Sequence, residues 1–177
     1  MPAALTDVMD ALAGIKPGSA LDAVRNRRPQ AREQAEASFR ALFEPESFAG
    51  VSATERFGLA VFVTGLHGDA ASAAFYAERL AATGPCYPAG PLSREDTPGP
   101  SYDVGPEARR ILGARLAAAF DHAHLLVFHP RDAAPERLQA LLDAGWSTTD
   151  IVTLSQIIAF LSFQIRVAAG LRVLATA

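Results

Sequence analysis

The sequence predicts an all-α fold, and its composition and helix-start signals support that prediction. Alanine, the residue with the highest helix propensity, accounts for 36 of the 177 positions. No segment shows convincing period-two alternation, and Val61–Val63 lies inside a 3.6-residue pattern that we interpret as helical. We therefore expect one all-α domain over residues 1–177, with residues 1–18 as an N-terminal extension.

Two short helices are predicted at the start of the chain. Thr6 can cap a helix that runs through Ala13 and stops at Gly14. Ser19, with Asp22 three residues later, can cap a second helix in the same way.

Two longer helices follow in the N-terminal half. Arg27–Pro29 interrupts the pattern, which resumes over Gln30–Phe43. Ser52 and Glu55 form a capping-box pattern, and this predicts one long helix that continues towards Thr83. We favour this capping role for Glu55 over a role in proton transfer.

A proline- and glycine-rich segment separates the two helical halves. Residues 84–106 hold six of the twelve prolines and four of the thirteen glycines, so we expect a long loop without a helix. Loops of this length in a compact domain are usually functional or mobile. Helices resume after it, and Ser147 with Asp150 begins the last one.

The last helix is apolar over most of its circumference. One stripe of apolar side chains lies beside a second on a neighbouring face: Leu154, Ile158, Leu161, Ile165 and Ala168, then Ile157, Phe160 and Phe163. Such a helix is buried in a core or a subunit interface, so we expect a homo-oligomer. Four polar residues interrupt this helix, so each uninterrupted apolar segment is shorter than the length needed to span a bilayer: Gln156, Gln164, Arg166 and Arg172.

The net charge and the cysteine content of the chain argue against several classes of function. The net charge of −3 and the pI of about 5.8 argue against a nucleic-acid-binding surface. Cys86 is the single cysteine, so neither an internal disulfide nor a dithiol pair can form. With no secretory pattern at the N-terminus, we expect a cytoplasmic protein that binds neither membrane nor nucleic acid and needs no cofactor.

Two segments together resemble the carboxymuconolactone decarboxylase and alkylhydroperoxidase (AhpD-like) superfamily. The first runs from Glu55 through Leu66-His67-Gly68-Asp69 to Tyr76, and the second from Leu138 through Gly145-Trp146-Ser147 to Arg166. The chain is most similar to the peroxidase-related branch called CMD domain proteins, over about residues 20–174. The resemblance implies an AhpD-like helical bundle that dimerises, with a trimer of dimers as the precedent.

The residues that carry chemistry in active relatives are replaced here. Those relatives have a glutamate, a C-x-x-C pair and a histidine on the long helix. Alignment on the resemblance places Asp69 and Ser72 at the two cysteine positions, Tyr76 at the histidine and Phe57 at the glutamate. Because dithiol peroxide reduction needs a thiolate and a resolving thiol, that mechanism is not expected.

The polar replacements form a candidate catalytic set. Asp69, Ser72 and Tyr76 share one helical face by spacing, with His67 nearby, so they could bind a small polar ligand or move a proton. The alternative is that they bond one another and the backbone in a degenerate site.

Other candidates are weaker. The three C-terminal-half histidines lack a metal-ligand spacing, so no metal site is expected: His122, His124 and His129. Cys86 has no nearby cation before Arg94 to activate it. The resemblance places an arginine at Arg166, which we expect to be buried and paired with Asp69 or Asp150.

Three hypotheses for function remain open. The protein is a divergent peroxidase-related enzyme using Asp69, Ser72, Tyr76 and His67 for acid–base work on a small organic acid, as decarboxylase relatives work without cysteines. Alternatively, it is a non-catalytic partner of a cysteine-bearing homologue, or it is a small-ligand-binding protein. What occupies the Asp69–Tyr76 region would distinguish them.

Overall fold

The computed structural model describes residues 7–48, 50–84, 89 and 104–176. Within these residues the fold is all-α, as predicted, with eight helices and no strand. A 3₁₀ turn at Pro130–Asp132 separates the sixth and seventh helices. The helices are α1 (Val8–Ala13), α2 (Ala20–Asn26), α3 (Pro29–Phe43), α4 (Ala53–Leu66), α5 (Ala70–Ala82), α6 (Gly105–Phe128), α7 (Pro135–Asp143) and α8 (Thr148–Thr176).

The helix starts predicted at Ser19 and Ser52 are confirmed, whereas the cap predicted at Thr6 is wrong by one residue. Ser19 accepts a hydrogen bond from the Asp22 backbone N–H at the start of α2. At α4, Ser52 and Glu55 form a complete capping box, so the capping role of Glu55 is confirmed. For α1, Asp7 is the N-cap and Gly14 ends the helix; the predicted cap Thr6 lies outside the described residues.

The predicted long helix from Ser52 to Thr83 is wrong, because it is two helices. The helix is interrupted between Leu66 and Ala70, where Gly68 has a left-handed backbone conformation with φ 67°. Asp69 then caps α5 by accepting the Ser72 backbone N–H at 2.8 Å. A glycine that permits positive φ followed by an Asx cap is a sufficient local cause for the break.

Most of the proline- and glycine-rich segment lies outside the described residues. Ala89 is described, and it is helical and buried, so the expectation of no helix in 84–106 is wrong at that residue. The helix α6 begins at Gly105 and bends at Gly113, whose φ of 78° and ψ of 160° are not helical.

The N-terminal extension is part of the packed core. Val8, Met9 and Leu12 of α1 are buried, and α1 packs on α8. Five charged side chains join α1, α2 and α3 in one ion-pair network: Asp7, Asp10, Asp22, Arg25 and Arg32.

The helix α4 lies at the centre of the bundle. Its side chains from Arg56 to Thr64 are buried, and it packs on α5, α6 and α8. Phe62 stacks on Phe120 of α6 with ring centroids 4.3 Å apart. This continuous burial explains why the apolar pattern of Val61–Val63 is helical rather than a strand.

The apolar stripe of α8 is covered within one chain. Ile158 and Leu161 are almost fully buried, whereas Phe163 on the neighbouring face is 50% exposed. The argument that these stripes need a second subunit therefore does not hold for Ile158 and Leu161. Homo-oligomerisation stays a prediction.

Among the described residues, α6 and α8 are long and apolar enough to cross a membrane. The expectation that polar residues in α8 exclude a span is therefore not confirmed. Length and composition are weak evidence, because the core helix of a soluble protein passes the same test.

Arg115 of α6 ties together three parts of the chain that are distant in sequence. Its guanidinium donates to Glu55 at 2.9 Å and to the backbone oxygens of Gly145 and Gly50 at 2.6 and 2.5 Å. It also lies 3.5 Å from the centroid of the Trp146 ring, whose Nε1 donates to the Arg115 carbonyl at 2.7 Å. The start of α4, the middle of α6 and the start of α8 are thus fixed to one side chain.

Gly50 tests how tightly this junction is packed. Its φ is 76°, and a Cβ there would overlap the carboxylate of Asp150, which caps α8 by accepting the Ser147 N–H. We expect Gly50→Ala to lower the free energy of unfolding by about 3 kcal/mol, from backbone strain plus overpacking. Chemical denaturation would measure the change.

The matched control is Gly14→Ala. Gly14 has a similar φ of 70° but open space around it, so only the strain of about 1–2 kcal/mol is expected. Equal losses in the two variants would contradict the proposed packing at Gly50.

Candidate functional site

Asp69 has a structural position at the start of α5. Its carboxylate accepts the Ser72 backbone N–H and pairs with the guanidinium of Arg172 from α8. Arg172 also donates to the Leu12 carbonyl at 3.1 Å, so the pair connects α5, α8 and α1. Burial raises the pKa of Asp69, but its hydrogen bonds with Ser72 and Arg172 outweigh burial and hold that pKa below the ordinary value.

Ser72 and Tyr76 point from α5 into the core. Both are completely buried, and the Tyr76 hydroxyl donates to Oε1 of Gln164 in α8 at 2.6 Å. Burial raises the pKa of the Tyr76 hydroxyl, and the bond to Gln164 offsets this only in part. Tyr76 therefore stays protonated and acts as a hydrogen-bond donor.

Two polar groups beside these residues lack a hydrogen bond. They are the Ser72 hydroxyl and the Gln164 amide nitrogen. Unsatisfied buried polar atoms are uncommon in folded proteins. Ser72, Tyr76 and Gln164 are therefore a group of polar side chains in an otherwise apolar core, and we call this group the polar seam.

His67 ends α4 and faces a different part of α8. Its Nε2 lies 3.1 Å from the Ser162 hydroxyl. Burial lowers the pKa of His67, the charge of Arg166 lowers it further, and Asp69 raises it in part. The neutral form of His67 is therefore favoured at pH 7, and its Nε2 can donate a hydrogen bond to the Ser162 hydroxyl or accept one from it.

A cavity of about 620 Å³ lies between α6 and α8, and Ser162, which contacts His67, is one of its lining residues. We call it the Arg166 cavity. Its polar lining groups are Ser162 and Arg166, and its other lining residues are apolar: Leu126, Val127, Pro130, Ile158, Ala159, Phe163 and Val167. Its volume falls in the range of small-molecule sites.

The four predicted catalytic residues are near one another but do not line this cavity. Asp69, Ser72 and Tyr76 share one face of α5, as their spacing predicts, and Asp69 and Tyr76 are bonded to Arg172 and Gln164 of α8. Only His67 reaches the cavity, through Ser162. Their catalytic role stays a prediction.

Arg166 differs from its expected role. It is exposed on α8 rather than buried, and it has no hydrogen-bond or ion-pair partner among the described residues. The arginine that pairs with Asp69 is Arg172, which lies six residues further along α8.

Sequence reasoning missed three α8 residues at the site: Ser162, Gln164 and Arg172. The sequence signal that could have identified them is that polar residues interrupt an apolar helix. From the sequence, Gln164 and Arg172 were used only as an argument against a membrane span. Their partners lie 88 and 103 residues away, which no local pattern indicates.

The other candidates do not form a site in the described part of the chain. His122 lies 3.2 Å from the Ser155 hydroxyl, and the rings of His124 and His129 are 6.2 Å apart. No group of three metal-ligating side chains is found there. Cys86 lies outside the described residues.

Comparison with known proteins adds no assignment. No protein-family model matches the sequence, and no curated protein matches it. The resemblance to the AhpD-like superfamily therefore depends on the two segments from Glu55 and from Leu138.

The polar seam is testable by a double-mutant cycle. We expect Tyr76→Phe to cost about 1–3 kcal/mol of unfolding free energy, because it leaves the buried Gln164 amide without its bond. Adding Gln164→Leu should recover most of that loss, since both partners are then apolar. Urea denaturation of the four proteins gives the coupling energy. Additive losses would contradict the seam.

The buried histidines predict a loss of stability in mild acid. Burial lowers the pKa values of His67, His122 and His124 in the folded state. The unfolded chain, with ordinary values near 6.5, binds protons first as pH falls. The free energy of unfolding should therefore decrease as pH falls below about 6.5.

Denaturation at pH 7.5 and 5.5 would measure this dependence. His122→Gln removes one titrating group while keeping a side chain that can bond Ser155. Its pH dependence should be shallower than that of the wild type. An unchanged or steeper dependence would contradict the assignment.

Proposed function

We propose that the protein is a divergent AhpD-like, peroxidase-related oxidoreductase-family member that has lost dithiol chemistry and binds a small organic acid in the Arg166 cavity. The all-α bundle supports the first part, as does the position of Asp69 and Ser72 where the resemblance places the reactive cysteines. The proposal includes a cytoplasmic location, which depends on the sequence alone.

The observation that carries the ligand class is Arg166. Its guanidinium has no partner among the described residues and lines a cavity with apolar walls. An arginine binds a carboxylate through two parallel hydrogen bonds, and the walls favour an apolar body. Ser162 adds a hydroxyl and is itself in contact with His67.

His67 is the residue best placed for acid–base work. Asp69 is held charged by Arg172, and Tyr76 is held protonated by burial, so neither exchanges protons near pH 7. His67 is neutral and hydrogen-bonded to a cavity residue. If the bound acid is transformed, the proton would pass between the ligand and His67 through the Ser162 hydroxyl.

Calorimetry tests the proposal with a panel of small aromatic and aliphatic carboxylates and their uncharged amides. We expect at least one acid to bind ten times more tightly than its amide, and Arg166→Gln to abolish that difference. Arg137→Gln, an exposed arginine on α7, is the matched control and should bind normally. Equal binding of acid and amide, or an unaffected Arg166→Gln, would contradict the proposal.

The same preparation addresses peroxidase activity. Hydroperoxide consumption with a dithiol reductant should be absent, because the chain has one cysteine. Robust consumption that survives Cys86→Ser would contradict the loss of peroxidase function.

We also propose a homo-oligomer, supported by large apolar side chains left exposed at the C-terminal end of α8. Val173 and Leu174 are 68% and 58% exposed, although they lie on an ordered helix. Such residues favour association with another surface. Val173→Asp would place a charge in that interface without touching the core.

Light scattering at micromolar concentration should give a mass above 18.7 kDa for the wild type and a lower mass for Val173→Asp. Far-UV circular dichroism would confirm that the variant is folded. A monomeric wild type would contradict self-association and favour the second candidate, a partner subunit for a cysteine-bearing homologue.

A further inference from the structure

A second cavity, of about 560 Å³, lies where α2 and α3 meet α8. We call it the N-terminal cavity. Four arginines line it: Arg25, Arg27, Arg28 and Arg32. No carboxylate is among its lining residues, so the charged side chains that line it are all cationic.

The four arginines have two different roles. Arg25 and Arg32 are held by the carboxylates of Asp7, Asp10 and Asp22. Arg27 and Arg28 are exposed and have no hydrogen bond or ion pair to their side chains among the described residues. Two guanidiniums are thus fixed by the fold, and two adjacent ones are available to an anion.

The opposite wall is apolar and extended. Phe163, Val167 and Leu171 recur every four residues on α8, and Met9 and Val24 face them from α1 and α2. The interval from Phe163 to Leu171 is eight residues, or about 12 Å along the helix. A wall of that length suits an acyl chain better than a compact acid.

We propose that the N-terminal cavity binds a single-chain anionic amphiphile, with its head group on Arg27 and Arg28 and its chain along the α8 wall. Guanidiniums recognise carboxylate and phosphate alike, so the head group is either of these anions. The site is separate from the Arg166 cavity, although Phe163 and Val167 line both.

The binding test uses four ten-carbon probes below their critical micelle concentrations: decanoate, decyl phosphate, decanol and decyltrimethylammonium. At least one anion should bind ten times more tightly than decanol and the cation, and more tightly than inorganic phosphate. Comparison of decanoate with decyl phosphate identifies the head group. Equal binding of decanol, equal binding of inorganic phosphate, or binding only above the micelle concentration would overturn the proposal.

Variants locate the site. The double variant Arg27→Gln, Arg28→Gln should weaken binding of the anion at least tenfold, and Val24→Glu should weaken it through charge repulsion. Val24 is 44% exposed, so its replacement leaves the core intact. The control Arg110→Gln, Arg137→Gln removes the same charge elsewhere and should bind within twofold of wild type.

Binding measurements on Arg166→Gln distinguish the N-terminal cavity from the Arg166 cavity. This variant should leave amphiphile binding within twofold of the wild type while abolishing the acid preference of the Arg166 cavity. A loss as large as that of the Arg27, Arg28 double variant would place the anion at Arg166 and overturn the second site. Far-UV circular dichroism of each variant checks that the helices are retained.

Discussion

The junction around Arg115 is the interaction on which the arrangement of helices depends. One guanidinium bonds the cap of α4 through Glu55 and two backbone carbonyls, and it stacks on Trp146. Glu55 lies in the first turn of α4, and Gly50 precedes that helix. Gly145 and Trp146 precede α8, so Arg115 links the starts of both helices. Hydrophobic burial has no preferred direction, whereas these four contacts of the guanidinium each require a defined geometry, so they favour one arrangement of the helices. The positions of the two cavities beside α8 depend on that arrangement of the helices.

Local signals could be predicted from the sequence, and long-range pairings could not. The caps at Ser52 and Ser147 are set by residues three positions away, so the sequence pattern was sufficient. Gly68 carried the signal for the break between α4 and α5, but the apolar pattern on both sides outweighed it. The pairing of Asp69 with Arg172 depends on how α5 lies relative to α8, and the resemblance pointed instead to Arg166, six residues earlier.

Polar residues of α5 bond to α8. By resemblance, Asp69 and Ser72 occupy the places of a reactive cysteine pair. In this chain, Asp69 caps α5 and pairs with Arg172, while Tyr76 bonds Gln164. Carboxylate and phenol need partners when buried, and α8 supplies both. These bonds link α5 to α8, and the Ser72 hydroxyl on the same face has no hydrogen-bond partner.

The distribution of side chains around α8 links the core to both proposed sites. Leu154, Ile158 and Leu161 face the core, and their burial fixes the rotation of the helix. With that rotation set, Ser162 and Arg166 are four residues apart and face one cavity, and Phe163 begins the row that lines the other. A rigid helix positions groups more accurately than a loop does. The packing that stabilises α8 also determines which way its outer residues face. The apolar stripe could be predicted from the sequence, and its burial orients the residues that line the two proposed sites, which could not be predicted.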